Sequence, residues 1–145
     1  MKRATIPAAI IVAILIVSLG VEAQQERRPG VLEVTGVLLG PDGAPMVGKT
    51  IWFLPWNEGR SGTVLQYRDL KPVNPAAESD QDGRFLIVVP PSFAQPGSKF
   101  TVGIDVIQFD GGDVARRAGA PLIFTVNEPT GRMDLGTVVI NRRRR

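Results

Sequence analysis

The sequence predicts an all-β fold, a Greek-key β-sandwich of seven strands that follows an amino-terminal signal peptide. Short runs of apolar or alternating residues recur along the chain, and clusters of Gly, Pro, Asp and Asn separate them. No stretch after the signal segment has convincing helical periodicity. The predicted strands are residues 31–39, 49–54, 63–68, 85–89, 100–106, 122–126 and 135–140. A β-barrel is the structural alternative.

The amino terminus predicts export. Lys2 and Arg3 precede an apolar run from Ile6 to Val21, and Val21, Glu22 and Ala23 form a small-residue site of the kind that signal peptidases cut before Gln24. The run is shorter than the ~20 residues of a spanning helix, so an uncleaved membrane anchor is the weaker alternative. We expect a periplasmic or secreted protein that contacts a membrane only through an uncleaved signal segment. The predicted organisation is signal peptide 1–23, linker 24–30, β-sandwich 31–141 and basic tail 142–145.

Composition excludes several function classes. The sequence contains 0 His and 0 Cys, which rules out disulfides, Ser-His-Asp triads, thiol nucleophiles and His/Cys zinc sites. The formal net charge of +3 owes much to the four terminal arginines, and no basic face in the body of the chain indicates nucleic-acid binding. We therefore expect no cofactor and no enzymatic activity. Two-carboxylate hydrolysis remains formally open, although no sequence feature brings two acids into one cleft.

The stretch from Ser79 to Pro91 is the most informative. Asp80, Asp82 and Gly83 are typical of a tight turn between antiparallel strands. The five apolar residues 85–89 then predict a strand buried on both faces. Asp80 and Asp82 also resemble the start of a calcium loop, but Arg84 and Phe85 interrupt that pattern, so a turn is the preferred interpretation.

A second turn lies between residues 40 and 45 and includes Asp42 and Gly43. Residues 43–50, GAPMVGKT, match the phosphate-binding pattern G-x-x-x-x-G-K-[ST]. That motif requires a helix after its last residue, and the residues after Thr50 predict a strand. We therefore interpret the glycines as turn residues, with nucleotide binding as a minor alternative.

The segments that contain these turns resemble those of a known protein family. The segments GVLLGPDGAPMVGKTIWFLP, SDQDGRFLIVVPP and DLGTVVI resemble the carboxypeptidase regulatory-like domains, which belong with the transthyretin-like sandwiches and are similar to collagen-adhesin B-type repeats. The resemblance implies a pre-albumin-like sandwich that serves as a non-catalytic extracytoplasmic module. Its hydroxyisourate-hydrolysing relatives use histidine, so that activity does not carry over. The shared fold with carbohydrate-binding modules does not by itself establish a sugar ligand.

The resemblance to collagen-adhesin repeats also implies a structural alternative. Those repeats can form a Lys-Asn isopeptide bond assisted by a buried acid, and Lys49, Asn141 and Glu33 supply the residue types here. The reaction needs a desolvated lysine beside the asparagine. Lys49 follows a turn, which does not favour such burial.

Aromatic residues are the candidate ligand contacts. Trp52 is in phase with Thr50 and Leu54 and is expected in the core. Trp56 follows Pro55, and with Tyr67 as a candidate neighbour it can stack on a sugar ring or anchor a protein. The alternative is that Trp56 simply covers one end of the sandwich. The expected partner is an extracytoplasmic protein or a glycan.

Three further expectations concern the remaining segments. Residues 71–78 contain two prolines and make a poor central strand. Residues 100–106 alternate and predict a half-buried strand. Residues 110–120 contain three glycines and form the longest predicted loop. Its Asp110 and Asp113 can supply two carboxylates to a bound cation, but the usual preference of loops for aspartate explains them equally well.

Overall fold

The computed structural model describes residues 30–60, 62–105 and 113–141. The predicted signal peptide, most of the linker, the basic tail, Val106 and Asp110 lie outside these residues. The longer strands of the described part are β1 Leu32–Leu39, β2 Thr50–Asn57, β7 Arg84–Val89, β8 Lys99–Ile104 and β13 Gly131–Val139. The short strands are β3 Gly62–Thr63, β4 Tyr67–Arg68, β5 Lys71–Pro72, β6 Ala76–Glu78, β9 Asp113–Val114, β10 Arg116–Arg117, β11 Ala120–Pro121 and β12 Phe124–Thr125. A 3-10 turn, Glu58–Arg60, follows β2.

Two larger sheets form the body. In the first, β1 lies between β7, with which it is antiparallel, and β13, with which it is parallel. In the second, the order is β12, β8, β2, with β6 and β3 on the far side of β2 and β9 beside β8. The first and last strands thus meet in one sheet, which ties the two ends of the domain together.

The core lies between these sheets. One cluster of buried apolar side chains draws on both, and Phe53 of β2 stacks on Phe100 of β8 with ring centroids 4.4 Å apart. The contributing strand residues include Leu32, Val34 and Leu38, Ile51 and Phe53, Phe85, Ile87 and Val89, Phe100 and Val102, and Val138. The prediction of an all-β sandwich is therefore confirmed.

The described residues contain a counterpart for each predicted strand. The predicted strand 63–68 is divided into β3 and β4, and β13 begins at Gly131, before the expected Leu135. Five segments were not expected: β5, β6, β9, β10 and β11. Residues 76–78 pair with β2 only, an edge position that tolerates the nearby prolines, and residues 113–121 form strands rather than one long loop.

Three burial predictions were wrong. The residues of β7 alternate instead of being buried on both faces, and Leu86 is 40% exposed because it lies on the face of β7 that points away from the core. Conversely, Thr101 of β8 is fully buried, and its hydroxyl donates to the Leu122 carbonyl at 2.7 Å. Trp52 lies half-buried on the outer face of β2, outside the main core.

A second small apolar cluster explains the last two differences. Leu54 and Val114 are buried together, and Trp52 and Leu65 pack against them. This cluster covers the outer face of the second sheet, so β8 is buried on both sides. The core-facing residues of β2 are instead Ile51 and Phe53. In the part of the chain that the structure describes, no helix is long and apolar enough to cross a membrane.

Candidate functional site

An open cleft lies at the carboxyl end of β2. We call it the Trp56 cleft; its volume is about 480 Å³, and its lining residues are Trp56, Asn57, Glu58, Gly59, Val64, Gly97 and Lys99. Trp56 is half-buried and pairs with Thr63 of β3, which fixes its backbone. The cleft therefore presents one aromatic side chain from a paired strand together with several polar groups.

The polar groups of the cleft come from two distant parts of the sequence. Glu58 and Lys99 form an ion pair and are both exposed to solvent. Pro55 lies opposite Phe100 in the β2–β8 ladder, which places Lys99 beside the end of β2. An exposed pair of this kind contributes little to stability, so its groups remain accessible to a ligand.

Asn57 shapes the turn that closes this end of the cleft. Its side-chain oxygen accepts a hydrogen bond from the Arg60 amide at 3.3 Å, and residues 58–60 form the 3-10 turn. The side-chain amide nitrogen carries two N–H donors that this bond does not use. The cleft thus combines an indole, an amide, a carboxylate and an ammonium group.

Tyr67 does not join Trp56. It lies on β4, opposite Pro72 of β5, and its side chain is 58% exposed. It is not among the described residues that line the Trp56 cleft. The suggested Trp56–Tyr67 pair is therefore not a single site.

Asp42 and Gly43 lie in the turn between β1 and β2. The Asp42 carboxylate accepts from the Ala44 amide at 3.1 Å, and the Gly43 amide donates to the Gly40 carbonyl at 3.0 Å. The GAPMVGKT segment leads directly into β2 rather than into a helix. The structural condition for a phosphate-binding loop is therefore not met.

Asp80, Asp82 and Gly83 lie in the turn before β7. One oxygen of the Asp80 carboxylate accepts from the Asp82 amide at 2.9 Å and from the Arg84 amide at 2.8 Å. Gly83 has φ of +75°, and a Cβ there would lie 2.5 Å from the Leu38 carbonyl oxygen. The turn needs glycine for both reasons. The described residues contain no group of three or more acidic side chains placed to hold a metal ion.

A second cleft lies at the other end of β2. We call it the Lys49 cleft; its volume is about 560 Å³, and Lys49, Asp105, Asp113 and Asn141 are among its lining residues. Lys49 and Asn141 thus share one cleft, but Lys49 is exposed, which does not supply the desolvation that an isopeptide bond requires. Glu33 does not line this cleft; it is buried on β1 and accepts hydrogen bonds from Arg132.

The Lys49 cleft corrects one sequence-based expectation. Asp105 and Asp113 do bring two carboxylates into one cleft, although nothing in the local sequence indicates it. Asp105 ends up there because β8 stops at Ile104, and Asp113 because β9 pairs back onto β8. Ile104 lies opposite Asp113 in that ladder.

Sequence reasoning missed Lys99 and Val64 as cleft residues. Their only signal lies in the strand pairing: Lys99 begins β8, and the Val64 amide donates to the Pro55 carbonyl at 2.8 Å. Neither contact has a local sequence pattern, since each depends on which strand lies beside β2.

Comparisons with known proteins are sparse. No family model matches the sequence, and no curated protein matches it. Among solved structures, the chain is similar to a 9R-lipoxygenase from Cyanothece PCC8801, with 14% identity and a TM-score of 0.42 over 86% of this chain and 20% of that one. It is also similar to the major pilin subunit of Bacillus cereus in two structures, with 14% and 15% identity and a TM-score of 0.39. Those matches cover 78% and 79% of this chain and 30% of the pilin chain.

The chain spans less than a third of the length of each of these proteins. At such TM-scores the likeness carries no argument for an activity. No family model assigns the chain to the carboxypeptidase regulatory-like family, so that assignment remains a prediction.

Proposed function

We propose that this chain is an exported, non-catalytic β-sandwich module that binds a glycan through the Trp56 cleft. The observation that carries the proposal is the composition of that cleft, a half-buried indole on a paired strand beside an amide, a carboxylate and an ammonium group. The resemblance to carboxypeptidase regulatory-like modules and the predicted signal peptide support an extracytoplasmic role.

The chemistry of the cleft suits a sugar. One face of a pyranose ring is made of C–H groups, and an indole offers it a large apolar surface at small cost in conformational entropy. The ring hydroxyls both donate and accept, and Asn57, Glu58 and Lys99 supply both kinds of partner. Charge-assisted bonds from Glu58 and Lys99 would add orientation and specificity.

The same cleft does not favour glycoside cleavage. Hydrolysis of a glycosidic bond ordinarily uses two carboxyl groups that flank the scissile bond. Of the described residues that line the Trp56 cleft, Glu58 alone carries a carboxylate, and Lys99 is paired with it. Binding without turnover is therefore the function that this arrangement supports.

A glycan array with the purified protein tests the proposal, followed by calorimetric titration of the best oligosaccharide. We expect Trp56→Ala to weaken binding by about tenfold or more, because truncation of a central aromatic anchor usually costs more than about 1 kcal/mol. Tyr67→Ala is the matched control, since Tyr67 is exposed outside the cleft and should bind as the wild type does. Urea denaturation of both variants verifies that each is folded.

Two results would overturn the glycan proposal. One is the absence of any glycan ligand, and the other is unchanged affinity in Trp56→Ala. If the wild type instead captures an envelope protein and Trp56→Ala does not, the cleft is a protein-docking site and not a sugar site. Lys99→Met keeps the aliphatic stem and removes the charge, so weaker glycan binding in that variant would assign a direct role to the ammonium group.

A further inference from the structure

Exposed apolar side chains are concentrated in one short segment. Of the exposed large hydrophobic residues in the described part of the chain, four lie between positions 64 and 73: Val64, Tyr67, Leu70 and Val73. Leu70 is 97% exposed, far more than any other of this group. A cluster of this kind marks an interaction surface more often than scattered single residues do.

Leu70 lies at the tip of a two-residue hairpin. Residues 67–72, here called the Leu70 hairpin, comprise β4, Asp69, Leu70 and β5, and Arg68 lies opposite Lys71. Asp69 and Leu70 have φ of +51° and +64°, the left-handed values of a type I′ turn. Such turns favour Asn-Gly, and a leucine there is both strained and solvated. A residue that violates two local preferences at an exposed tip indicates a functional role.

The Lys49 cleft offers matching chemistry. Its lining residues include the apolar Pro41, Met46, Ile104 and Ile140 and the charged Asp105, Asp113 and Lys49. Its volume of about 560 Å³ lies within the usual range for binding clefts, roughly 300–1,000 Å³. The cleft therefore has room and apolar surface for a leucine side chain.

The charges of the two surfaces are complementary. The hairpin places two basic side chains, Arg68 and Lys71, and one acidic side chain, Asp69, around Leu70. The cleft places two acidic side chains and one basic side chain around its apolar walls. None of these six groups forms an ion pair within the described residues. Complementary charge of this kind selects partners and fixes their orientation.

Intramolecular docking does not explain the match. The hairpin is attached beside the carboxyl half of β2, where the Val64 amide donates to the Pro55 carbonyl. The Lys49 cleft lies at the amino end of β2, and no hairpin residue lines it. Within one molecule the hairpin therefore does not occupy the cleft, and both surfaces are left for a second molecule.

We propose that the Leu70 hairpin of one molecule docks into the Lys49 cleft of a second copy of this chain. The contact is heterologous, because the two partners use different surfaces, so it generates open rows or rings rather than a closed two-fold dimer. One side chain with its flanking charges buries far less than the roughly 1,200 Å² of a stable interface, so association is weak and needs high local concentration. The hairpin residues 67–72 and the Lys49 cleft share no residue with the lining of the Trp56 cleft, so this self-association does not depend on glycan binding.

Sedimentation velocity of the full chain over a wide concentration range tests the proposal. We expect the wild type to form species larger than a dimer at high concentration and to lose them as salt increases. Leu70→Asn should lower the association constant at least about tenfold, since a buried leucine is replaced by a polar residue that tolerates the turn. Leu86→Thr is the matched control, an exposed leucine on β7 that lies in neither surface.

A mixing experiment distinguishes this contact from non-specific aggregation. The double variant Asp105→Asn/Asp113→Lys disables the cleft and keeps the hairpin, whereas Leu70→Asn does the reverse. Each should be monomeric alone, and an equimolar mixture should form dimers and nothing larger, because only one productive contact remains. Recovery of that dimer supports the proposal.

Three results would overturn it. The first is a wild type that stays monomeric at every concentration. The second is an association constant of Leu70→Asn equal to that of the wild type. The third is an equimolar mixture of the two variants that remains monomeric under conditions in which the wild type associates. A monomeric wild type that sediments with phosphatidylglycerol vesicles, and loses this property in Leu70→Asn, would assign the hairpin to a lipid surface instead.

Discussion

The side chain of Asn74 holds the backbone of Phe53. Its amide nitrogen donates to the Phe53 carbonyl at 3.1 Å and to the Val64 carbonyl at 3.1 Å, and its oxygen accepts from the Gln66 amide at 2.8 Å. Asn74 is itself buried. One side chain thus ties the segment that carries the Leu70 hairpin to the edge of β2.

We expect Asn74→Ala to destabilise the protein by about 2–3 kcal/mol, because several hydrogen bonds are lost and the carbonyl of a buried strand residue is left without this partner. Urea denaturation measures the change. Asn57→Ala is the control, since the hydrogen bond that its side chain accepts from the Arg60 amide is exposed, and it should change the free energy of unfolding by less than about 0.5 kcal/mol. Equal effects in the two variants would contradict this role of Asn74.

Substitution of two turn glycines, Gly43 and Gly83, distinguishes the cost of a strained backbone from the cost of a steric clash. Gly83 and Gly43 have nearly the same φ, +75° and +78°, but a Cβ at position 83 would meet the Leu38 carbonyl, whereas nothing lies within 4 Å of a Cβ at position 43. Gly43→Ala should therefore cost about 1 kcal/mol for the left-handed conformation alone. Gly83→Ala should cost at least about 2 kcal/mol more, since the strands themselves must shift. Thermal or urea unfolding of both variants measures the difference, and equal costs would show that the close approach to Leu38 relaxes freely.

Local sequence patterns predicted the positions of the strands better than they predicted which face of each strand is buried. In β1 the residues Leu32, Val34 and Leu38, which share one face of the strand, are all buried in the core. In β2 both faces carry large apolar residues, so alternation alone could not identify Ile51 and Phe53 as the inward pair. That choice depends on which face meets the other sheet, a non-local property. Trp52 was misplaced for this reason.

The candidate sites show the same limit. Trp56 stood out because it follows a proline and precedes polar residues. Lys99, which lines the same cleft, lies 41 positions beyond its partner Glu58 and reaches it only through β2–β8 pairing. Leu70 had no local signal, since an apolar residue between Asp69 and Lys71 does not resemble a hairpin turn. Its position follows from the Tyr67–Pro72 and Arg68–Lys71 pairs.

The buried carboxylate of Glu33 should make Arg132 important for stability. Arg132 donates to one oxygen of Glu33 at 2.7 Å and 3.1 Å, and the side chain of Glu33 is 5% exposed, whereas that of Arg132 is 47% exposed. Removal of one partner of a buried charge is costly, although partial exposure of the guanidinium reduces the effect, so we expect Arg132→Ala to cost about 2 kcal/mol.

A double-mutant cycle checks this interaction. In a Glu33→Gln background the same arginine truncation should cost clearly less, because the charge that it leaves behind is gone. Arg117→Ala, at an exposed position, controls for loss of a surface arginine. An undiminished cost in the Glu33→Gln background would mean that Arg132 stabilises the fold through packing of its stem and not through the carboxylate.

Intact mass of the protein purified from its native host tests both export and cross-linking. We expect a mature chain that begins at Gln24, because Val21, Glu22 and Ala23 form a small-residue cleavage site. We also expect no loss of ammonia, about 17 Da, because Lys49 is exposed to water and lacks the desolvation that attack on the Asn141 amide requires. A chain that still begins at Met1 would make the amino-terminal segment a membrane tether. A deficit of one ammonia that disappears in Lys49→Ala would instead show that Lys49 and Asn141 are joined, and the chain would then be a cross-linked structural unit whose Lys49 cleft is closed by that bond.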